Sequence, residues 1–266
     1  MEKPLENWLA AHDIDFPFCY AWANENWTRT WDGWDDNEIL MPQDYNAENL
    51  MLMMRNMLKD FADPRYIKTN GGKTPVLLVY RAELIPDCRK ITSQWRALAR
   101  EAGFDDLFLI SMQNAAEVDP RKLGFDAATD FASWRCDTFS AMKPSLDVED
   151  YRVGDVYLSV RRYSAVVERA ISPLRRAAYP RFRMACPDWD NTPRRGARGV
   201  SLLGSTPELF GKMFRGCCDR TQEDARLAKH GFVFVNAWNE WGEGAHLEPD
   251  VRTGYAYLNV IKDEMK

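Results

Sequence analysis

Between Phe232 and Pro249 an apolar run empties into Trp238, Asn239, Glu240, Trp241, Gly242, Glu243, Gly244, His246 and Glu248 in close succession. Cleavage of a glycosidic bond needs one carboxylic acid to protonate the leaving oxygen and a second carboxylate to act as nucleophile or base. Glu240 and Glu243 supply both groups. On an extended strand an i, i+3 pair is separated by about 10 Å, at roughly 3.3 Å per residue, so the backbone must curl to bring the acids together. Gly242 and Gly244 permit that curl. Two like charges held close also push their pKa values apart, leaving one group protonated near neutral pH to serve as the acid. Trp238 and Trp241 suit the C–H faces of a pyranose, and Asn239, His246 and Glu248 are candidates for its hydroxyls. A single Glu in a loop is more often a solvated charge than a catalyst. The clustering of three Glu, one Asn and two Trp at one strand end favours function.

A second segment repeats the design. From Phe16 an apolar run leads into Trp22, Asn24, Glu25, Trp27 and Arg29. The first four are candidate sugar contacts, and Arg29 a positioning or charge-balancing residue; both strand ends are expected to face one cavity. For Trp31 and Trp34 a satellite core is as good a reading. Tyr80, Gln113 and Asp130 each fall at or just beyond an expected strand end and are weaker candidates for the same mouth. Asp188, Trp189 and Asp190 form a D-x-D, which in nucleotide-sugar glycosyltransferases can hold a divalent metal against a diphosphate. Arg194, Arg195 and Arg198 follow it, suited to phosphate or an anionic sugar, although a solvated basic loop is the plainer reading.

The elements that must position these groups follow from apolar periodicity. Six short runs read as buried strands: Phe16 to Trp22, Pro75 to Tyr80, Leu107 to Met112, Phe125 to Phe131, Phe182 to Cys186, and Phe232 to Trp238. Helices are expected over Ala47 to Phe61, Pro86 to Ala102, Val156 to Ile171, Pro207 to His230 and Gly254 to Glu264. Asp155 and Pro173 bracket the third of these, and Thr206 and Pro207 start the fourth. Pro187 to Gly204 reads as a long loop. Strand then helix, repeated, predicts an α/β fold of the (β/α)8 barrel type with about six of its units present. Pro4 to His12 reads as the end of an amphipathic helix, so the first strands are expected to lie upstream of Met1. The whole of 1–266 is expected to form one catalytic domain.

Composition narrows the partners. The chain has 266 residues, 45% apolar and 28% charged, with a formal net charge of -5, which gives no footprint for nucleic acid. No run of about 18 apolar residues exists, so no membrane span is expected. Six cysteines lie scattered without a C-x-x-C pair, with Cys19 and Cys186 inside apolar runs, which predicts free thiols and a reducing, cytoplasmic setting. His12, His230 and His246 are too dispersed for a zinc site. No metal or organic cofactor is expected, an oligosaccharide or polysaccharide is the expected partner, and oligomeric state has no signature here.

Three blocks carry a family likeness: Trp22 to Trp27, Trp189 to Arg195, and Trp238 to Pro249. In them the chain resembles the WbsX-type glycosyltransferase domain of bacterial polysaccharide clusters, which is similar to glycoside hydrolase family 99, the endo-acting α-mannosidases and mannanases. The resemblance spans nearly the whole chain and names Trp189, Asp190 and Asn191 as further substrate contacts. It implies a (β/α)8 barrel acting on α-linked, mannose-like bonds of a cell-surface polysaccharide such as O-antigen. It also implies that Glu240 is the base that deprotonates a sugar 2-hydroxyl to form a 1,2-anhydro intermediate, and Glu243 the general acid/base, an exception to the usual carboxylate nucleophile. Gly242 departs from the hydrolase pattern, where a larger residue is usual. Two alternatives stand beside this reading: a metal-dependent nucleotide-sugar glycosyltransferase of O-antigen or capsule biosynthesis using Asp188 and Asp190, and a non-catalytic glycan-binding barrel.

Overall fold

A computed structural model describes residues 3–29, 38–113, 118–131, 148–153, 156–173, 177–196 and 199–266. They fall into two compact units, one of Met1–Glu25, Gln43–Met112 and Val118–Ala128, the other of Asn26–Pro42, Gln113–Glu117 and Thr129–Lys266.

In the first unit, α1 (Lys3–Ala10) precedes β1 (Tyr20–Trp22), α2 (Ala47–Phe61), β2 (Thr74–Val79), α3 (Cys88–Glu101), β3 (Phe108–Gln113) and β4 (Ala127–Asp130), of which Gln113, Thr129 and Asp130 are counted with the second unit. β1 pairs in parallel with β2 (Tyr20 opposite Leu77), and β2 with β3 (Val76 opposite Phe108), while β4 borders β3. All six residues of β2 are buried, as a continuous apolar run in a parallel sheet requires. The ladder at β1 is shorter than the apolar run that starts at Phe16, because Pro17 has no N–H to donate; Phe18 instead bridges to Tyr66. α2 is started by Asn46, whose side chain accepts from the Glu48 N–H at 2.9 Å. It buries Leu50, Met54 and Leu58 at four-residue spacing, together with Phe61, against a core that includes Leu77, Val79, Ile91, Trp95 and Leu109.

The second unit contains β5 (Val148–Val153), β6 (Val156–Arg162), α4 (Tyr163–Ala170), β7 (Arg181–Phe182), β8 (Met184–Ala185), β9 (Val200–Leu203), α5 (Pro207–Glu223), β10 (Phe234–Val235), β11 (Asn239–Glu240), β12 (Ala245–His246) and α6 (Ala256–Glu264). β8 and β10 are parallel, as are β6 and β9, whereas β5 and β6 form an antiparallel hairpin. Tyr163, Val167, Phe210, Met213, Phe214 and Cys217 build the core with Ala185 and Cys186.

Three expectations in this unit need correction. The helix expected over Val156 to Ile171 is a strand for its first seven residues. Val156, Leu158 and Val160 alternate at period two, and helical spacing begins only with Tyr163, Val166, Val167 and Ala170. Asp155, its expected start, lies outside the described residues. The helix from Pro207 stops at Asp224, where φ is -97° and ψ 103°, and whose carboxylate accepts from the Arg226 N–H to start a separate turn. The stretch from Pro187 to Gly204 is not an open loop: Trp189 and Asn191 exchange backbone hydrogen bonds with Val200 and Leu202, so it folds back on itself.

The chain thus presents a partial parallel β-sheet with helices flanking it, consistent with part of a (β/α)8 barrel.

Candidate active site

The segment richest in chemistry is a tight hairpin in the second unit. β11 and β12 pair antiparallel, Asn239 opposite His246 and Glu240 opposite Ala245. Trp241–Glu243 makes a single 3-10 turn between them, closed by Gly244 at φ +65°. Glu240 and Glu243 therefore stand at the two ends of one turn rather than along an extended strand.

Arg194 meets both acids. Its Nη2 lies 3.5 Å from Glu240 Oε1 and its Nη1 3.7 Å from Glu243 Oε1. Because one planar guanidinium reaches both, the two acid oxygens are separated by no more than roughly 9.5 Å, the upper end of the range for glycosidase carboxylate pairs. The Glu243 side chain is 16% exposed and that of Glu240 40%, so one acid is largely enclosed and the other open. A cation between two carboxylates offsets their mutual repulsion.

The Asp188–Arg195 segment holds this arrangement from behind. The Asp190 N–H donates to the Glu243 carbonyl at 2.7 Å. Asp190 Oδ1 accepts from the Thr192 N–H at 2.9 Å and from its hydroxyl at 2.6 Å, and the buried Asn191 accepts from the Val200 N–H at 2.8 Å. Asp188 accepts from the Trp189 N–H, and burial raises its carboxyl above the usual range. Trp189, 2% exposed, lies in the core of this unit. The acids of the D-x-D are thus engaged in building a turn. Among the described residues no group of three or more His, Cys, Asp and Glu could hold a metal ion.

Trp241 is half exposed and held on two sides. Its indole N–H donates to Glu248 Oε2 at 2.6 Å, and its ring stacks on His246 with centroids 3.6 Å apart at 17°. His246 Nε2 in turn faces Asp250 Oδ2 at 3.2 Å. N–H groups of Thr253 and Arg252 and the Thr253 hydroxyl hold the Asp250 carboxyl down at about 2. Trp238, also half exposed, contributes its carbonyl, which accepts from the N–H groups of Leu247 and Glu248.

Elsewhere in the second unit, the exposed Trp27 pairs with Met41, and Arg29 forms an ion pair with Glu38 at 2.6 Å. Trp31 and Trp34 lie outside the described residues, as do Cys136 and Arg198. Gln113 is buried and accepts from the Tyr179 hydroxyl at 3.0 Å, and Asp130 is buried against Arg181.

In the first unit, Asn24 is fully buried and clasps the backbone of Arg81, donating to its carbonyl at 2.8 Å and accepting from its N–H at 2.7 Å. Glu25 pairs with the Arg81 guanidinium, which also meets Glu83. Trp22 packs on Tyr45 and Trp95 in the core of that unit, and the Tyr80 N–H donates to the Trp22 carbonyl. Arg81 and Tyr45 escaped the sequence reading, since neither sits at a strand end rich in acids or amides. So did the bracing of Trp241 by Asp250 through His246; the spacing of His246 and Asp250 within one loop was its only signal.

Comparison with known proteins locates the chain among carbohydrate-active proteins. The profile of the family described as "Glycosyltransferase WbsX" matches residues 1–261. The uncharacterised protein WxcX of Xanthomonas campestris pv. campestris, in two strains, is 35% identical over 269 residues, covering all of this chain and 37% of WxcX. The chain thus spans little more than a third of the curated relatives it matches. Among solved structures, a glycoside hydrolase-like protein aligns over 98% of this chain and 74% of its own, at 17% identity and a TM-score of 0.56, a likeness of fold. No helix of the described residues is long and apolar enough to cross a membrane.

Proposed function

Because the chain belongs to the WbsX glycosyltransferase family and is a carbohydrate-active enzyme domain, we propose that Glu240 and Glu243 are its catalytic pair, cleaving or transferring α-linked, mannose-like glycosidic bonds in polysaccharide biosynthesis. The single observation that carries this reading is the convergence of both carboxylates on Arg194 at the two ends of one glycine-closed turn. In this reading Glu243, the more enclosed acid, is the general acid/base, and Glu240, the more open one, is the base toward the sugar 2-hydroxyl. Trp238 and Trp241, both half exposed beside the pair, offer aromatic faces to the ring. Asn239 lies in the same hairpin. The reading treats the chain as one catalytic domain, which the family match over 1–261 supports. It sets the activity in a reducing, cytoplasmic compartment, which the buried thiols of Cys88, Cys186 and Cys217 support.

Transfer is favoured over hydrolysis by the family description.

The test is a panel of α-mannosides offered with water alone or with an acceptor sugar. Glu240→Gln and Glu243→Gln are each expected to lower turnover by about 10²–10⁴-fold while thermal unfolding stays at the wild-type temperature. Full turnover in either variant removes the role assigned to that residue.

A further inference from the structure

Gly242 lies between the two acids in sequence, and its backbone does not need a glycine, since its φ is outside the left-handed range. What it needs is space. A Cβ at position 242 would lie 2.4 Å from Arg194 Nη2, 3.0 Å from its Cζ and 3.2 Å from its Nε, so its three nearest neighbours all belong to that one guanidinium. The absent side chain is the seat of the guanidinium. From the other side, Arg194 leaves a turn that is fixed before its side chain begins. Its N–H donates to the Asn191 carbonyl at 3.1 Å, Asn191 is itself buried, and the Asp190 N–H ties that turn to Glu243 at 2.7 Å. The guanidinium thus rests in a prepared place, with one nitrogen toward each acid.

We infer that Arg194 is a positioning residue for the Glu240/Glu243 pair, and that position 242 is glycine in order to seat it. The inference rests on the reading of those two acids as the reacting groups. Two carboxylates at the ends of one short turn repel each other, and each would otherwise swing toward water. A planar guanidinium with two nitrogens to share sets their separation. Surface ion pairs at these distances contribute little to stability, so the role expected of Arg194 is geometric.

Gly242→Ala is the informative variant. The atoms it strikes belong to the end of a flexible side chain, so the fold is kept, both acids remain, and only the guanidinium is displaced. On the α-mannoside panel, Gly242→Ala and Arg194→Met are each expected to lower kcat about ten-fold or more with KM changed less than about three-fold, since a displacement near 1 Å can cost that much rate. The double variant is expected to lose no more than either single one, because both remove the same contact. Arg194→Lys is expected to keep more turnover than Arg194→Met, and millimolar guanidinium to restore part of the turnover of Arg194→Ala.

The seat is also readable without a substrate. Gly242→Ala is expected to lower Tm by about 1–3 °C in the wild-type background and by less than about 1 °C in Arg194→Ala. Equal Tm losses in both backgrounds, multiplying kinetic losses, or a rise in KM alone would overturn the inference. If Arg194→Met turns over normally while Glu240→Gln and Glu243→Gln are dead, the positioning role fails and the acid pair stands. If the two Gln variants are fully active, the pair itself fails.

Discussion

The indole of Trp241 lies flat on the imidazole of His246, their centroids 3.6 Å apart and their planes within 17°. The stack covers one face of the indole, and the hydrogen bond to Glu248 fixes its rotation. A half-exposed tryptophan held this way is a rigid surface whose ordering cost is met before a sugar arrives. His246→Ala is expected to weaken glycan binding about 3- to 10-fold, from the loss of one aromatic pair, with kcat nearly unchanged. Quenching of tryptophan fluorescence by an α-linked mannobiose checks this, and binding at wild-type strength would show that the stack does not organise Trp241 for sugar.

Asp250 makes an acid-limb prediction. Its folded pKa, about 2, lies below the ordinary aspartate value of 3.8, so the folded state favours the ionised form. The stability it contributes is present above about pH 4 and lost as pH falls toward 2. Asp250→Ala is expected to lower Tm clearly at pH 7, with a shrinking difference from wild type between pH 4 and pH 2. A difference that stays constant over that range would show that the carboxylate charge is not what binds the Thr253 and Arg252 amides.

Asp130 and Arg181 form a pair in which both side chains are almost wholly enclosed. Removing one member of such a pair deprives a buried charge of its opposite, at about 3–5 kcal/mol. Asp130→Ala is expected to show that loss in urea unfolding, whatever its effect on turnover. A fully stable but inactive Asp130→Ala would return this residue to the sugar-contacting role its strand-end position suggested.

Asn24 likewise clasps the Arg81 backbone from full burial. Asn24→Ala removes the acceptor of the Arg81 N–H, while the Arg81 carbonyl still accepts from the Leu84 N–H, and a loss of about 1–3 kcal/mol for the one buried deficit is expected in the same measurement. Stability within about 0.5 kcal/mol of wild type would mean that water replaces the amide, as at an exposed site.

The parallel strands of the first unit were legible because a strand buried on both faces must be continuously apolar, as Thr74–Val79 and Phe108–Gln113 nearly are. Val156–Arg162 was misread because a short run that leads straight into a true helix was given the helix's period, whereas its ladder partners, the adjacent Val148–Val153 and the distant Val200–Leu203, make it a strand. The curl at Glu240–Glu243 was readable from Gly244, which closes the turn at φ +65°, whereas the φ of Gly242 is outside the left-handed range and does not make the curl. The reason for Gly242 was not readable, because the atom that occupies its space belongs to Arg194, and no local pattern encodes a neighbour that distant. Strand-end position likewise nominated Gln113, Asp130 and Asn24, but whether a polar group at a strand end faces a ligand or a buried partner depends on burial, which sequence pattern does not report.

The hydrogen bond from the Asp190 amide to the Glu243 carbonyl joins two stretches that translation delivers far apart. Grafting residues 238–250 onto another scaffold would therefore transplant the acids without the strut that orients them. Any redesign of the segment around Asp190 must therefore keep that amide as a fixed pivot, or retune the hairpin in the same step.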